Sequence, residues 1–286
     1  MLSAMVRLAR PRDWAKNVFV LLPMPFAIAA GGATLDPVTL LCGLVGLSLV
    51  SSAVYCYNDA RDAEADRLHP TKKRRPVASG ELAVRTAYLE AAVLGVSGLG
   101  LAAVSGSTTA LALIATYAGS NAVYTHYAKH VAPLDVFLLT SFFVLRVFLG
   151  CALVAAAPSS WLLLCSSTLA LFLVLAKRRA EFASGLDSDH RGSLAGYTLS
   201  FLDQACGVTA GIAFLSYALY SMESALFVPG REFAALPFVA AGLLDYLRLA
   251  HLRNLGGSPV DAALREPGLM LCGLGWAGAL WWSLAL

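Results

Sequence analysis

The chain has 286 residues, of which 58% are hydrophobic and only 14% charged, and 21 Lys and Arg against 18 Asp and Glu leave a formal net charge of +3. Soluble domains carry about 25% charged residues, so an ordinary soluble protein is excluded, and no nucleic-acid partner is expected. No Ser- or Pro-rich linker divides the sequence, so residues 1–286 read as a single membrane domain.

Nine apolar segments come near the ~20 residues that a helix needs to cross a bilayer. They fall at about 17–34, 38–57, 86–104, 108–127, 134–154, 159–177, 205–222, 232–250 and 268–286. The fold class expected is therefore an all-α integral membrane protein with nine transmembrane helices. Small-residue runs such as Gly95-Val96-Ser97-Gly98-Leu99-Gly100 suit close helix packing. With nine spans, the N-terminus and every second connection share one side, and that side holds nearly all Lys and Arg; only Arg231 lies opposite and Arg146 within a span. The positive-inside rule makes the charged side cytoplasmic, in the plasma (inner) membrane, with the active site opening there.

Taken in chain order, Arg10-Pro11-Arg12-Asp13-Trp14-Ala15-Lys16-Asn17 leads into a first span read as retained, since many more apolar segments follow. Arg, Trp and Lys there fit an interfacial anchor. The second span runs out into Tyr57-Asn58-Asp59-Ala60-Arg61-Asp62-Ala63-Glu64-Ala65-Asp66 and then the basic tract Lys72-Lys73-Arg74-Arg75-Pro76. Asp59, Asp62 and Asp66 follow i, i+3, i+7 spacing, so on a helix their carboxylates share one face, with Asn58 one turn before Asp62. Hard oxygen donors suit Mg²⁺, which takes one or two protein oxygens and fills its shell with water and substrate phosphates. Asn58, Asp59, Asp62 and Asp66 are thus candidate metal ligands, with the three aspartates as the catalytic set. Lys72, Lys73, Arg74 and Arg75 are candidate phosphate contacts. The alternative is a solvated helix end whose acids pair with Arg61, Arg67 and the basic tract.

Lys129 borders the charged side with Tyr124 and Tyr127, where an interfacial aromatic belt is the alternative to substrate contact. In the fifth span, Arg146 is costly in lipid and needs a cavity or an anion. Asp135 lies three turns, roughly 16 Å, away, too far to pair with it. A ligand-facing and a structural role both remain open for Arg146. After the sixth span, Lys177-Arg178-Arg179-Ala180-Glu181 opens a long polar loop that continues through Asp187, Asp189, His190 and Arg191 to Tyr197. Its basic residues suit phosphate binding or follow from topology alone. Six scattered cysteines read as buried small hydrophobes, and the five histidines receive no catalytic part.

At this point the sequence resembles a known family. Asn58-Asp59-x-x-Asp62-x-x-x-Asp66 with Arg75-Pro76 is similar to the first aspartate-rich motif of the UbiA-type intramembrane transferases, a nine-helix fold. Within it the chain looks like the branch that moves phosphoribosyl onto decaprenyl phosphate. That likeness is carried by Arg10-Pro11-Arg12-x-Trp14-x-Lys16-Asn17, His69-Pro70-Thr71-Lys72, Lys129-His130, Pro133-Leu134-Asp135-Val136, Lys177-Arg178-x-x-Glu181 and Tyr197-Thr198. The resemblance implies Mg²⁺ as cofactor, phosphoribosyl diphosphate as donor and a polyprenyl phosphate lipid as acceptor, in formation of lipid-linked arabinofuranose for cell-wall glycan. It also implies Lys16, Asn17, Asn58, Lys129, Asp135, Arg146, Lys177, Arg178, Glu181 and Tyr197 as substrate contacts, and leaves a homo-oligomer possible. Aromatic prenyltransferases of the family carry a second aspartate-rich motif after the sixth span, where this chain has Lys177-Arg178-Arg179. A prenyl diphosphate donor with an aromatic acceptor is the alternative activity. A transporter or lipid-binding scaffold is the alternative class, and the crowding of charges at one face argues against it.

Overall fold

The computed structural model describes residues 1–33, 36–69, 71–185, 192–253, 262 and 265–284, and every regular element among them is helical. In chain order these are α1 (Leu2–Ala9), a 3-10 helix (Pro11–Val20), α2 (Pro23–Ala29), α3 (Pro37–Arg61), α4 (Ala63–Leu68), α5 (Val84–Val104), α6 (Thr108–His126), α7 (Leu134–Leu153), α8 (Ser160–Ala183), α9 (Leu199–Glu223), α10 (Leu236–Arg253) and α11 (Pro267–Leu284), with short 3-10 helices at Lys72–Arg74, Ala128–His130 and Gly192–Gly196. Five of them, α3, α5, α7, α8 and α9, are long and apolar enough to cross a membrane, which makes the chain a multi-pass membrane protein. Helices α6, α10 and α11 occupy the fourth, eighth and ninth apolar segments.

The first expected span is not one helix. Its N-terminal part is a ten-residue 3-10 helix, and Pro23 then starts the seven-residue α2. Runs of 3-10 geometry beyond three or four residues are uncommon and mark strain or function. The segment is clamped to α7 through Gly150, where an added Cβ would sit 2.0 Å from the Val20 carbonyl oxygen. That close approach sets Lys16 and Asn17 against the middle of the bundle.

Elsewhere the ends of the long helices are fixed by side chains. The Asp36 carboxylate accepts from the Val38 and Thr39 amides at the start of α3, and Ser107, Ser159 and Thr198 cap α6, α8 and α9 in the same way. Helices α3 and α5 meet at glycines: a Cβ on Gly46 would lie 2.8 Å from the Gly98 carbonyl, and one on Gly98 2.7 Å from that of Gly46. The small-residue run around Gly98 therefore serves packing. One core cluster joins α7, α8, α9 and α10 around Phe172, Leu202 and Tyr246; another joins α3, α6 and α7 around Leu47, Ile114 and Leu149. A cavity lies between these two halves. A third cluster docks α1 against α3 and α5 through Leu8, Cys56 and Ala87.

Candidate active site

The cavity holds about 1280 Å³, larger than the 300–1,000 Å³ of ordinary small-molecule pockets. Its mouth is charged and its depth is aromatic. Along α8 it is lined from Leu162 to Lys177, fifteen residues or about 22 Å of helix axis. The deep part is walled by Phe26, Phe172, Tyr217, Tyr220, Phe238 and Trp276.

At the mouth, α3 ends at Arg61, Asp62 takes φ −88° and ψ 8°, and α4 resumes at Ala63. Backbone hydrogen bonding continues across this joint, from the Asp62 amide to Asn58 O and from the Asp66 amide to Asp62 O. The helical spacing of the three acids survives, and Asn58, Asp59, Asp62 and Asp66 all line the cavity. Each acid is met by cations. Arg10 donates from Nη2 to Asp59 Oδ1 and Oδ2 at 2.7 and 2.9 Å. Arg75 Nη1 bridges Asp59 Oδ1 at 2.9 Å and Asp66 Oδ2 at 2.7 Å. Lys129 Nζ sits 3.0 Å from both oxygens of Asp62, and Lys72 Nζ is 3.9 Å from Asp66. Pro76 holds Arg75 in extended backbone, at φ −66° and ψ 145°, which turns its side chain back towards the acids.

Burial and charge oppose one another here. Desolvation pushes the Asp66 carboxyl above the usual range although Arg75 and Lys72 pull it down. Burial also disfavours the Arg10 cation, yet Asp59 outweighs it and the guanidinium is held above its ordinary value. Among the described residues no group of three acids is placed to cage an ion by itself. The donor chemistry still fits Mg²⁺, because hard carboxylates on one cavity wall can share the ion with a diphosphate, as Mg²⁺ prefers.

Below the mouth lies a second polar group. Lys16 Nζ contacts Asp13 Oδ1 at 2.6 Å and Tyr55 OH at 3.3 Å. Arg146, 4% exposed, donates to Asn17 Oδ1 at 2.9 Å, the Phe142 carbonyl at 2.7 Å and Tyr117 OH at 3.1 Å. Asn17 itself is buried behind the cavity wall and donates to Ser48 Oγ at 2.9 Å. It acts on the cavity through Arg146.

Several residues expected to touch substrate lie elsewhere. Asp135 and Arg178 are both fully buried, with Arg178 Nε 2.9 Å from Asp135 Oδ2. Tyr197 OH and Ser193 Oγ donate to the same carboxylate at 2.7 and 2.9 Å, and Arg178 also pairs with Glu181. None of Asp135, Arg178, Glu181 and Tyr197 lines the cavity. The physical reason is that buried opposite charges compensate one another. They tie α7 and α8 to the short 3-10 helix at Gly192–Gly196. Lys177 does line the cavity, whereas Arg179 turns to Asp203 at 2.6 Å and the Ala250 carbonyl at 2.7 Å. Lys73 and Arg74 are exposed and off the cavity wall. Pro70, Asp187, Asp189, His190 and Arg191 lie outside the described residues. Arg10, Tyr55, Tyr117, Asn121 and His130 line the cavity in addition to the residues expected from sequence. For Arg10 there was a signal, since it opens the Arg-Pro-Arg motif.

A multi-pass helical bundle with acids and cations at the mouth of one deep apolar chamber has the plan of an intramembrane transferase acting on a lipid. The UbiA prenyltransferase family model matches residues 18–259, and the chain belongs to that family. It is 35% identical over 96% of its length to a Mycobacterium tuberculosis decaprenyl-phosphate phosphoribosyltransferase, covering 92% of that protein. It is 34% identical over 96% of its length to the Corynebacterium glutamicum protein of the same name, covering 84% of it. In fold it is similar to a UbiA homolog from Archaeoglobus fulgidus solved with GPP and Mg²⁺, with a TM-score of 0.73 at 18% identity over 99% of this chain and all of that one.

Proposed function

We propose that this chain transfers the 5-phosphoribosyl group of phosphoribosyl diphosphate to a polyprenyl phosphate and releases diphosphate, with Mg²⁺. The observation that carries this reading is near-full-length similarity, at 31–35% identity, to relatives named decaprenyl-phosphate phosphoribosyltransferase. The cavity agrees with it: Lys177 faces inward where a second acidic motif would suit a prenyl diphosphate. Nine spans with the charged end in the cytoplasm, in the plasma membrane, complete the reading.

Asp59, Asp62 and Asp66 would hold Mg²⁺, which when bound would supply charge neutralisation of the departing diphosphate. Arg10, Arg75 and Lys129 hold these carboxylates in place until substrate arrives. They then lie within reach of phosphate oxygens. Lys72 and Lys177 add positive charge to the mouth. The acceptor phosphate is already a nucleophile, so no general base is required, and the work of the site is positioning and electrostatics. As the bond from C1 to the diphosphate breaks, the acceptor oxygen attacks from the opposite face, so inversion at C1 is expected.

The test is a paired assay in detergent with Mg²⁺. Labelled phosphoribosyl diphosphate is offered with polyprenyl phosphate, and labelled prenyl diphosphate with an aromatic acceptor. Label from phosphoribosyl diphosphate moving into the lipid phase, and lost on chelation, is expected. Transfer from the prenyl donor alone would replace this reading with an aromatic prenyltransferase.

A further inference from the structure

Arg146 is a buried cation that no carboxylate compensates among the described residues. Its three bonds, to Asn17, the Phe142 carbonyl and Tyr117, all end on neutral oxygens. Guanidinium has five N–H donors, so two remain for something else. The side chain lines the cavity, between the Tyr117 and Phe143 rings at 4.8 and 5.7 Å, and gives that space a positive charge with hydrogen-bond capacity. Lys16 belongs to the same group: it donates to Tyr55, and its carboxylate partner Asp13 is not on the cavity wall.

We infer that Lys16 and Arg146, with the Tyr55 and Tyr117 hydroxyls, bind the phosphate of the lipid acceptor without a metal, as a subsite separate from the acid-lined diphosphate site. This rests on the proposed phosphoribosyl transfer for the identity of the lipid. The sorting is chemical. A diphosphate that brings Mg²⁺ suits the carboxylate rim, while a phosphate that arrives without a metal suits cations whose cavity side carries no acid. The sorting is also spatial. The Tyr55 ring lies 5.0 Å from the Arg10 guanidinium, which belongs to the rim, and 5.6 Å from Lys16 Nζ, so the two subsites adjoin at one residue. Below them the aromatic chamber receives the tail. Diphosphate, ribose, acceptor phosphate and tail then follow one another from mouth to depth, the order an in-line displacement needs.

The experiment measures binding of farnesyl phosphate and of farnesol to the purified protein, with Mg²⁺ and with EDTA, beside steady-state kinetics for both substrates. Wild type should bind farnesyl phosphate more tightly than farnesol, and equally well in EDTA. Lys16→Gln and Arg146→Gln should each weaken farnesyl phosphate binding about tenfold and raise the acceptor KM accordingly. The KM for phosphoribosyl diphosphate should change less than about twofold. If Arg146→Gln fails to fold, Lys16→Gln and Arg146→Lys carry the test. Loss of binding in EDTA, equal binding of farnesol, or a rise in the donor KM alone would overturn the assignment. A wild type that binds farnesyl phosphate in EDTA but does not use phosphoribosyl diphosphate would keep the subsite and overturn the proposed reaction.

Discussion

The connections after the second and the sixth apolar segments look alike as sequence, each a long polar loop with acids and bases mixed. They are built for different ends. In the first, Asp59, Asp62 and Asp66 face the cavity and are met by cations from three places: Arg10 before the bundle, Arg75 on the return of the loop and Lys129 after α6. In the other, Arg178 and Arg179 turn away from the cavity and bind Asp135 and Asp203, so that α7, α8 and α9 are fastened together. Only Lys177 of that basic stretch lines the chamber. Charge at a membrane edge is therefore not itself a site; the helix face on which it falls decides.

The largest expected effect separates chemistry from scaffold. Asp62→Asn should lower kcat by about 10³-fold or more while the purified variant keeps the wild-type melting temperature, because Asp62 is the most exposed of the three acids and its ion pair among the described residues is with Lys129. Near-normal turnover would end the assignment of this loop as the reactive one. Arg178→Ala should act the other way, removing about 3–5 kcal/mol of stability by leaving Asp135 buried and unpaired, read as a large fall in melting temperature in detergent. An Arg178→Ala protein that melts normally but has lost substrate affinity would return Arg178 to the site.

A smaller change is expected at the boundary between the two roles. Lys177→Gln should raise the KM for a phosphorylated substrate by about fivefold to tenfold, with little effect on folding. Smallest of all, Lys73→Ala with Arg74→Ala should alter activity by less than about twofold, since both side chains are exposed and off the cavity wall. A strong loss there would show that the exposed half of the basic tract works on substrate.

What the sequence showed plainly was local. Asn58 to Asp66 could be placed because helical spacing needs no knowledge of distant residues, and the apolar segments could be placed because a bilayer sets their length. The first span broke the pattern through Pro23, which starts α2, and the preceding 3-10 turn; hydropathy alone does not register either. Arg10 reaches Asp59 across 49 positions from its own left-handed backbone conformation at φ 52°. Nothing in the spacing of either residue announces the other. The same holds for Asp135, whose partners Arg178, Ser193 and Tyr197 come from other elements. Arg146 was recognisable as anomalous, yet its neutral partners Asn17 and Tyr117 had to be seen before its unspent donors could be counted.

The aromatic chamber also bears on how the protein behaves once removed from its membrane. Rings such as Phe172, Tyr217 and Trp276 bind hydrocarbon without distinguishing an isoprenoid from the alkyl chain of a surfactant. In micelles, solubiliser and the proposed lipid acceptor are thus expected to compete for the chamber. Apparent acceptor affinity should follow the mole fraction of lipid within the micelle, and dilution with empty micelles should inhibit at constant total lipid.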